Sequence, residues 1–165
     1  MAPVFASKLP LLKQLSAPID GRRHWRGQRL LGENKTIRGY VAAIVMGAMT
    51  TWLQRDIFGV PTQLQPLFPL SYYEVNSFLL GGLLGLGAIL GDSVKSFFKR
   101  QRQIPPGSTW FFFDQVDYVL GGILFSLPVV ALPAPHYLSI LFVFFIFHIV
   151  VTHIGYYLHL KSSPL

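Results

Sequence analysis

The chain contains no cysteine, so neither a disulfide framework nor a thiolate metal site is available to it. Charge is scarce too. Only 13% of the 165 residues are Asp, Glu, Lys or Arg, against 52% hydrophobic and 15% aromatic, which lies outside ordinary soluble composition. Acidic residues are scarcest, 7 against 14 Lys and Arg, for a formal charge of +7. The opening stretch MAPVFASKLPLLKQLSAPIDG has a short apolar run broken by Lys8, Pro10 and Lys13. It lacks the ordered basic, apolar and small-residue regions of a signal peptide. There is no internal repeat, no low-complexity linker and no GxxxxGK[ST] phosphate loop.

Long apolar runs are what the chain does have. A membrane crossing takes about 20 mainly apolar residues, and four segments qualify: Gly39 to Phe58, Val75 to Phe98, Tyr118 to Leu132 and His136 to Leu158. The third is short, but the aromatic run Trp110 to Phe113 extends its interfacial end. The expected fold is all-α, a polytopic membrane helix bundle forming one domain over residues 1–165. Residues 1–38 form a basic lead-in segment, punctuated by Pro3, Pro10, Pro18, Gly21, Gly27 and Gly32 and therefore loop-like.

The basic residues are not spread evenly. Arg22, Arg23, Arg26, Arg29, Lys35 and Arg38 precede the first span, and Lys95, Lys99, Arg100 and Arg102 lie between the second and third, while the other two connections hold a single basic residue. Positive loops stay inside, so both basic segments are expected on the cytoplasmic side of the cell membrane. This pattern argues against nucleic acid as the partner. Topology signals beside anionic lipid explain part of the charge equally well. In the second span, Gly81/Gly85 and Gly87/Gly91 have the small-xxx-small spacing that lets helices approach closely.

The stretch from Gly91 to Gly122 carries the chemistry. Asp92 falls where the second span reaches the basic side, and Asp114 and Asp117 fall where the third span leaves it. Spaced i and i+3, Asp114 and Asp117 share one helix face. Carboxylates that close repel unless a cation relieves them, and Mg²⁺ is typically held by one or two carboxylates plus phosphate oxygens. A purely structural alternative has Asp114 capping its helix and Asp92 pairing with Lys95. Lys95 and Lys99, one turn apart, and Arg100 are candidate phosphate ligands, with Arg102 the more plainly topological charge. The segment Gln103 to Thr109 reads as a rigid turn in which Gly107 allows positive φ and Ser108 and Thr109 are helix caps. Gly32 to Gly39, GENKTIRG, places Lys35 and Arg38 among exposed amides on the same side, a second phosphate candidate. His148, His153 and His159 do not share one helix face and are not read as a metal site.

GENKTIRG ahead of a span, then GDSVKSFFKRQRQIPPGSTWFFFDQVDYVLGG, closely resembles the CDP-archaeol synthase family, relatives of the CDP-diacylglycerol synthases. The likeness runs through Gly91, Asp92, Lys95, Ser96, Lys99, Arg100, Pro106, Gly107, Trp110, Asp114, Gln115 and Asp117, and includes APID around Asp20 and the MAPV start. It implies a small helical membrane enzyme that uses CTP and Mg²⁺ to transfer a cytidylyl group to an unsaturated archaetidic acid, releasing diphosphate. Asp92, Asp114 and Asp117 are then metal ligands or their near neighbours, and with Lys95 the catalytic set. Lys35, Arg38, Lys95, Lys99 and Arg100 hold phosphates, and Asn34, Thr36 and Gln115 contact the nucleotide. A lipid phosphate is already an anion, so no dedicated base is expected. Nothing in the sequence opposes a homo-oligomer. The family usually has five spans, with a hydrophobic helix leading into the MAPV-like sequence; Met1 falls where an internal methionine would be, so a start further upstream is expected. The rival readings are the same chemistry on phosphatidic acid and, from another class, a small transporter or membrane scaffold. A CDP-alcohol phosphotransferase is disfavoured by the missing DG…AR…G…D…D pattern. A transporter predicts polar residues through the span centres, which are almost bare of them.

Overall fold

Why the helices start and stop where they do is legible in their flanks. The computed structural model describes residues 16–32, 34–57, 59, 61–63, 74–105, 108 and 110–157. Helix α1 spans Ile37–Trp52 and opens on Thr36, whose hydroxyl accepts the Gly39 N–H at 3.3 Å. It runs on through a π-helical turn, Leu53–Ile57. Helix α2, Ser77–Gln101, opens on Asn76, whose side chain accepts from the Phe78 and Leu79 amides. It ends at Arg102, beyond which Gln103 takes a positive φ of 58° and Ile104 donates back to the Lys99 carbonyl. Helix α3 is Phe113–Ser126, and Pro128 follows its end. Helix α4, Ala134–Tyr157, carries Pro135 in its first turn, where a missing N–H costs nothing.

Four helices stand at the expected places, with one boundary corrected. The third begins at Phe113 rather than Tyr118 and ends at Ser126 rather than Leu132. Hydropathy started the apolar span at Tyr118, just past Asp114 and Asp117, whereas the helix continues back through both, and lysines from α2 neutralise them there. Two of the helices, α2 and α4, are long and apolar enough to cross a membrane. At 1.5 Å per residue α1 and α3 reach only about 24 and 21 Å, although the π turn lengthens α1.

The four helices form a row in which α2 packs against both α1 and α3, and α4 packs on α3. Glycine sets the spacing. Gly81 and Gly85 lie against Gly47 and Ala43 of α1, while Gly87 and Gly91 lie against Gly121 and Asp117 of α3, so closely that a Cβ on any of these glycines would collide with facing backbone. Tyr118 and the Phe111 and Phe112 rings seat α4 through Phe144 and Phe145. Large apolar side chains point outward, among them Leu138, Phe142 and Tyr157, as on a protein whose solvent is lipid.

The lead-in segment departs from the loop expected for it. His24–Trp25 (β1) and Gln28–Arg29 (β2) form an antiparallel hairpin pairing His24 with Arg29 and Trp25 with Gln28. Asp20 locks it: its buried carboxylate accepts the Arg22 and Leu31 amides at 3.0 and 3.2 Å and meets Arg29 Nε at 3.4 Å. Burial alone raises this carboxyl's pKa, but those two amides and the Arg29 guanidinium outweigh it and hold the group below its ordinary value. The Ile19 amide donates to the Lys35 carbonyl and the Ile37 amide to that of Ala17, fastening the hairpin to the start of α1. The folded lead-in leans on the end of α2. Residues 1–15, with the MAPV start, and 158–165, with His159 and Lys161, lie outside the described residues.

Candidate active site

The carboxylates of Asp92, Asp114 and Asp117 do converge, but the group at their centre is an ammonium. Lys95 Nζ lies 3.0 Å from Asp92, 2.9 Å from Asp114 and 2.9 Å from Asp117. The helices bring this about: α2 supplies Asp92 and Lys95 one turn apart, and α3 supplies the i, i+3 pair across the Gly91–Asp117 contact. Lys35 reaches in from the start of α1 to pair with Asp92. Of the structural alternatives read from the sequence, the Asp92–Lys95 pair is present, whereas Asp114 does not cap α3: it lies inside the helix and accepts the Trp110 N–H, ahead of it, at 2.6 Å. The two acids were thus not unpaired, as their spacing suggested; lysine already relieves their repulsion.

The three acids differ in what holds them. Asp114 is saturated by Lys95, by the Trp110 amide and by Lys99, whose Nζ lies 3.1 and 3.2 Å from its two oxygens. Lys99, itself buried, gives its remaining donor to the Ser108 carbonyl at 2.6 Å. An ammonium has three protons, and all three have an acceptor here. Lys99 therefore clasps the connection between α2 and α3. Asp117 is the opposite case. Its side chain is 8% exposed, and its one ion-pair partner among the described residues is Lys95, 2.9 Å away, which it shares with the other two acids. Asp117 is therefore the least held of the three carboxylates.

A carboxylate whose one partner is a shared ammonium makes the donor set suitable for a hard divalent cation. The acids are not in metal-binding array as they stand: among the described residues no three His, Cys, Asp or Glu side chains are placed to hold an ion. The reason is size. Oxygens around an ammonium sit near 2.9 Å, whereas Mg²⁺ draws them to about 2.0–2.1 Å. Asp117 and Asp92 are the residues that would hold it, once Lys95 turns aside.

A polar cavity of about 540 Å³ opens on the cluster, walled by Asn34, Lys35, Asp92, Lys95, Lys99 and Arg100. On the other side of Lys95 a second cavity, about 490 Å³ and almost wholly apolar, runs between α2 and α3 past Val94, Phe98, Trp110, Phe113 and Leu120, and also reaches Asp117. Lys95 is thus shared by a polar chamber and an apolar groove.

Not every expected residue reaches this place. Arg38 and Thr36 are not on the polar wall: Thr36 caps α1, and Arg38 sits in its first turn with a buried Nε that has no hydrogen-bond partner. Gln115 is buried at 2% exposure on α3, away from the wall, with Oε1 unbonded. Ser108 offers a carbonyl to Lys99 and is no helix cap, for α3 has no side-chain cap; Pro106, Gly107 and Thr109 lie outside the described residues. Positive φ in this connection falls on Gln103 and Phe112. His148 stacks near Tyr118, and His153 Nδ1 contacts the Ile149 carbonyl. Sequence reasoning gave no site role to Gln28, Arg29 and Leu31, which also line the polar wall. Gly27, which with Arg26 makes the positive-φ two-residue turn between β1 and β2, was the one clue to the hairpin that delivers them.

The model of one family, CarS-like CDP-archaeol synthase, matches residues 4–165. The chain belongs to the CDP-archaeol synthase family. It is 38% identical over 154 residues to the CDP-archaeol synthase of Methanospirillum hungatei JF-1, covering 89% of each chain. The Pyrococcus furiosus CDP-archaeol synthase is 30% identical, over 97% of this chain and 90% of its own. Among solved structures, one described as an intramembrane enzyme for archaeal membrane lipid biosynthesis superposes with a TM-score of 0.62, covering 91% of this chain and 87% of that one at 22% identity, a likeness of fold. Membership makes this protein an enzyme of lipid biosynthesis, a cytidylyltransferase.

Proposed function

We propose that this CDP-archaeol synthase family member uses CTP and Mg²⁺ to convert 2,3-bis-O-(geranylgeranyl)-sn-glycerol 1-phosphate into its CDP derivative and diphosphate. The observation that carries the reading is Lys95, which lines both the polar chamber and, with Asp117, the apolar groove between α2 and α3. In-line attack by a lipid phosphate oxygen on the α-phosphorus of CTP forms one P–O bond. The bond to the β-phosphate breaks, and diphosphate leaves with the electron pair. No proton moves, which agrees with a site that has lysines and acids but no placed base.

In this reading Lys35 and Arg100 grip the polyphosphate from the chamber wall and Asn34 meets the nucleoside, while Lys95 turns from the acids toward the reacting phosphates. Mg²⁺, when bound by Asp92 and Asp117, neutralises charge on the triphosphate and the departing diphosphate. Most of the rate then comes from holding two anions together, a matter of positioning and electrostatics. The two basic segments support a site on the cytoplasmic face of a multi-pass arrangement in the cell membrane.

The test is diphosphate release by the purified protein with CTP and Mg²⁺. The lipid is either the geranylgeranyl diether phosphate or a diacyl phosphatidic acid. Release that needs CTP, the diether and Mg²⁺, and that falls about 10³-fold in Asp117→Asn, supports the reading. Equal rates with both lipids would remove the lipid specificity, and silence with both from folded protein would remove the activity.

A further inference from the structure

The hairpin carries a feature the reaction does not use. Residues 21–27 are all exposed, and among them Arg22, Arg23 and Arg26 have no carboxylate partner among the described residues. The one acid nearby, Asp20, is already taken by Arg29 and two amides. Trp25, 56% exposed, stands in the middle of the three arginines. Beneath the hairpin, between it and α2, lies the largest cavity described, about 720 Å³ and lined chiefly by apolar groups: Ile19, Leu30, Tyr40, Leu90, Val94 and Phe97, with Arg23 at its rim.

The geometry points to a binding site for one anionic lipid of the surrounding bilayer, its headgroup on Arg22, Arg23 and Arg26 and one chain in the groove under the hairpin. Three observations choose this occupant. The groove is continuous with the outward strip of α2, where Val94 and Phe98 are 57% and 50% exposed along a helix apolar enough to cross a membrane. Unpaired guanidiniums beside an exposed indole are the side chains that favour an anionic membrane interface. A nucleic acid or acidic protein would match the arginines but not the apolar groove beneath them.

The lipid is not the substrate. Leu90, Val94 and Phe98 of α2 stand between this groove and the α2–α3 groove and border both, but none of Asp92, Lys95, Asp114 or Asp117 lines this one, and the Tyr40–Ser93 hydrogen bond, 2.6 Å, stands on its wall. A headgroup held by the hairpin arginines therefore has no contact with the reacting centre. Its place is structural: it pins the hairpin, and with it Gln28, Arg29 and Leu31 of the chamber wall.

The experiment uses the whole protein in lipid nanodiscs and reads Trp25 as the fluorescence difference between wild type and Trp25→Phe. Chain-brominated phosphatidylglycerol is compared with chain-brominated phosphatidylcholine at equal mole fraction, with no CTP present. Quenching of Trp25 should be stronger with the anionic lipid, weaken in salt, and need about 5-fold more anionic lipid per arginine changed in Arg22→Gln, Arg23→Gln and Arg26→Gln. A second substitution, Leu30→Phe, read against Leu30→Phe with Trp25→Phe, crowds a position that lines this groove and not the α2–α3 groove, and should weaken the preference in a protein that still melts cooperatively. Equal quenching by the two lipids would overturn the proposal. So would an anionic preference that survives all three arginine changes, or one that free polyanions compete away without lipid. Because no turnover is read, failure here leaves the cytidylyltransferase assay untouched, and the reverse.

Discussion

Replacing Gly91 by alanine should disable the enzyme without unfolding it. A Cβ at position 91 would lie about 1 Å inside the 3.0 Å that real Cβ contacts respect, and what it meets is the Asp117 carbonyl oxygen, a backbone atom that cannot swing away. Helix α3 must retreat by about that much. The Lys95 contact to Asp117, now 2.9 Å, then stretches to the edge of ion-pair range at about 4 Å, and the Asp117 carboxylate is carried away from Asp92. A displacement of about 1 Å at a reacting centre costs on the order of 100-fold in rate. Alanine is the better helix former by about 1 kcal/mol, so a loss of rate has no origin in helix propensity. The assay is CTP-dependent diphosphate release, with melting temperature measured beside it. Gly122→Ala is the internal control, because a Cβ there meets only Leu84 atoms at 3.7 Å, and it should keep its rate within about 3-fold. Wild-type turnover in Gly91→Ala would refute the claim that close α2–α3 contact sets the geometry of the acids.

Lys99→Met should lower kcat by about 100-fold while leaving KM for CTP within about 3-fold, because the side chain clasps Asp114 and the Ser108 carbonyl; Lys99→Arg should restore part of it. A large rise in KM at constant kcat would instead make Lys99 a phosphate ligand. Tyr40→Phe removes the 2.6 Å bond to Ser93 and should destabilise the fold by about 1 kcal/mol, read as a lowered melting temperature with turnover kept. Asp20, with its folded pKa below the unfolded value of about 3.9, stabilises the hairpin above that value, and the contribution fades as pH falls through the folded pKa. Trp25 emission should therefore report loosening of the hairpin only in acid, and Asp20→Asn should show it already at neutral pH.

The helices and the acid–base cluster were open to reading because each rests on a local pattern. Apolar length gave four helices, glycine spacing gave the close helix contacts, and i, i+3 spacing put Asp114 and Asp117 on one face. Where reasoning stopped, the deciding contact was remote. The apolar span was started only after Asp114 because the lysines that neutralise this acid sit 15 and 19 residues earlier on another helix. Thr36 looked like a nucleotide contact and is a cap. The hairpin was read as loop because two-residue strands carry no periodicity, and its lock is one aspartate bonded to an amide eleven residues away.

The sequence by itself determined the apolar, helical character, the four helices of the described residues and the family, and it pointed to most of the charged groups of the candidate site, since composition and short spacings carry that information. Only the tertiary structure decided which acid has several partners and which has a single shared one. It alone showed that Lys95 joins a polar chamber to an apolar groove, and that a folded hairpin forms part of the wall. Those outcomes depend on distances between helices, and here glycine-to-backbone contacts set them; no pattern along one segment records how far its neighbour stands.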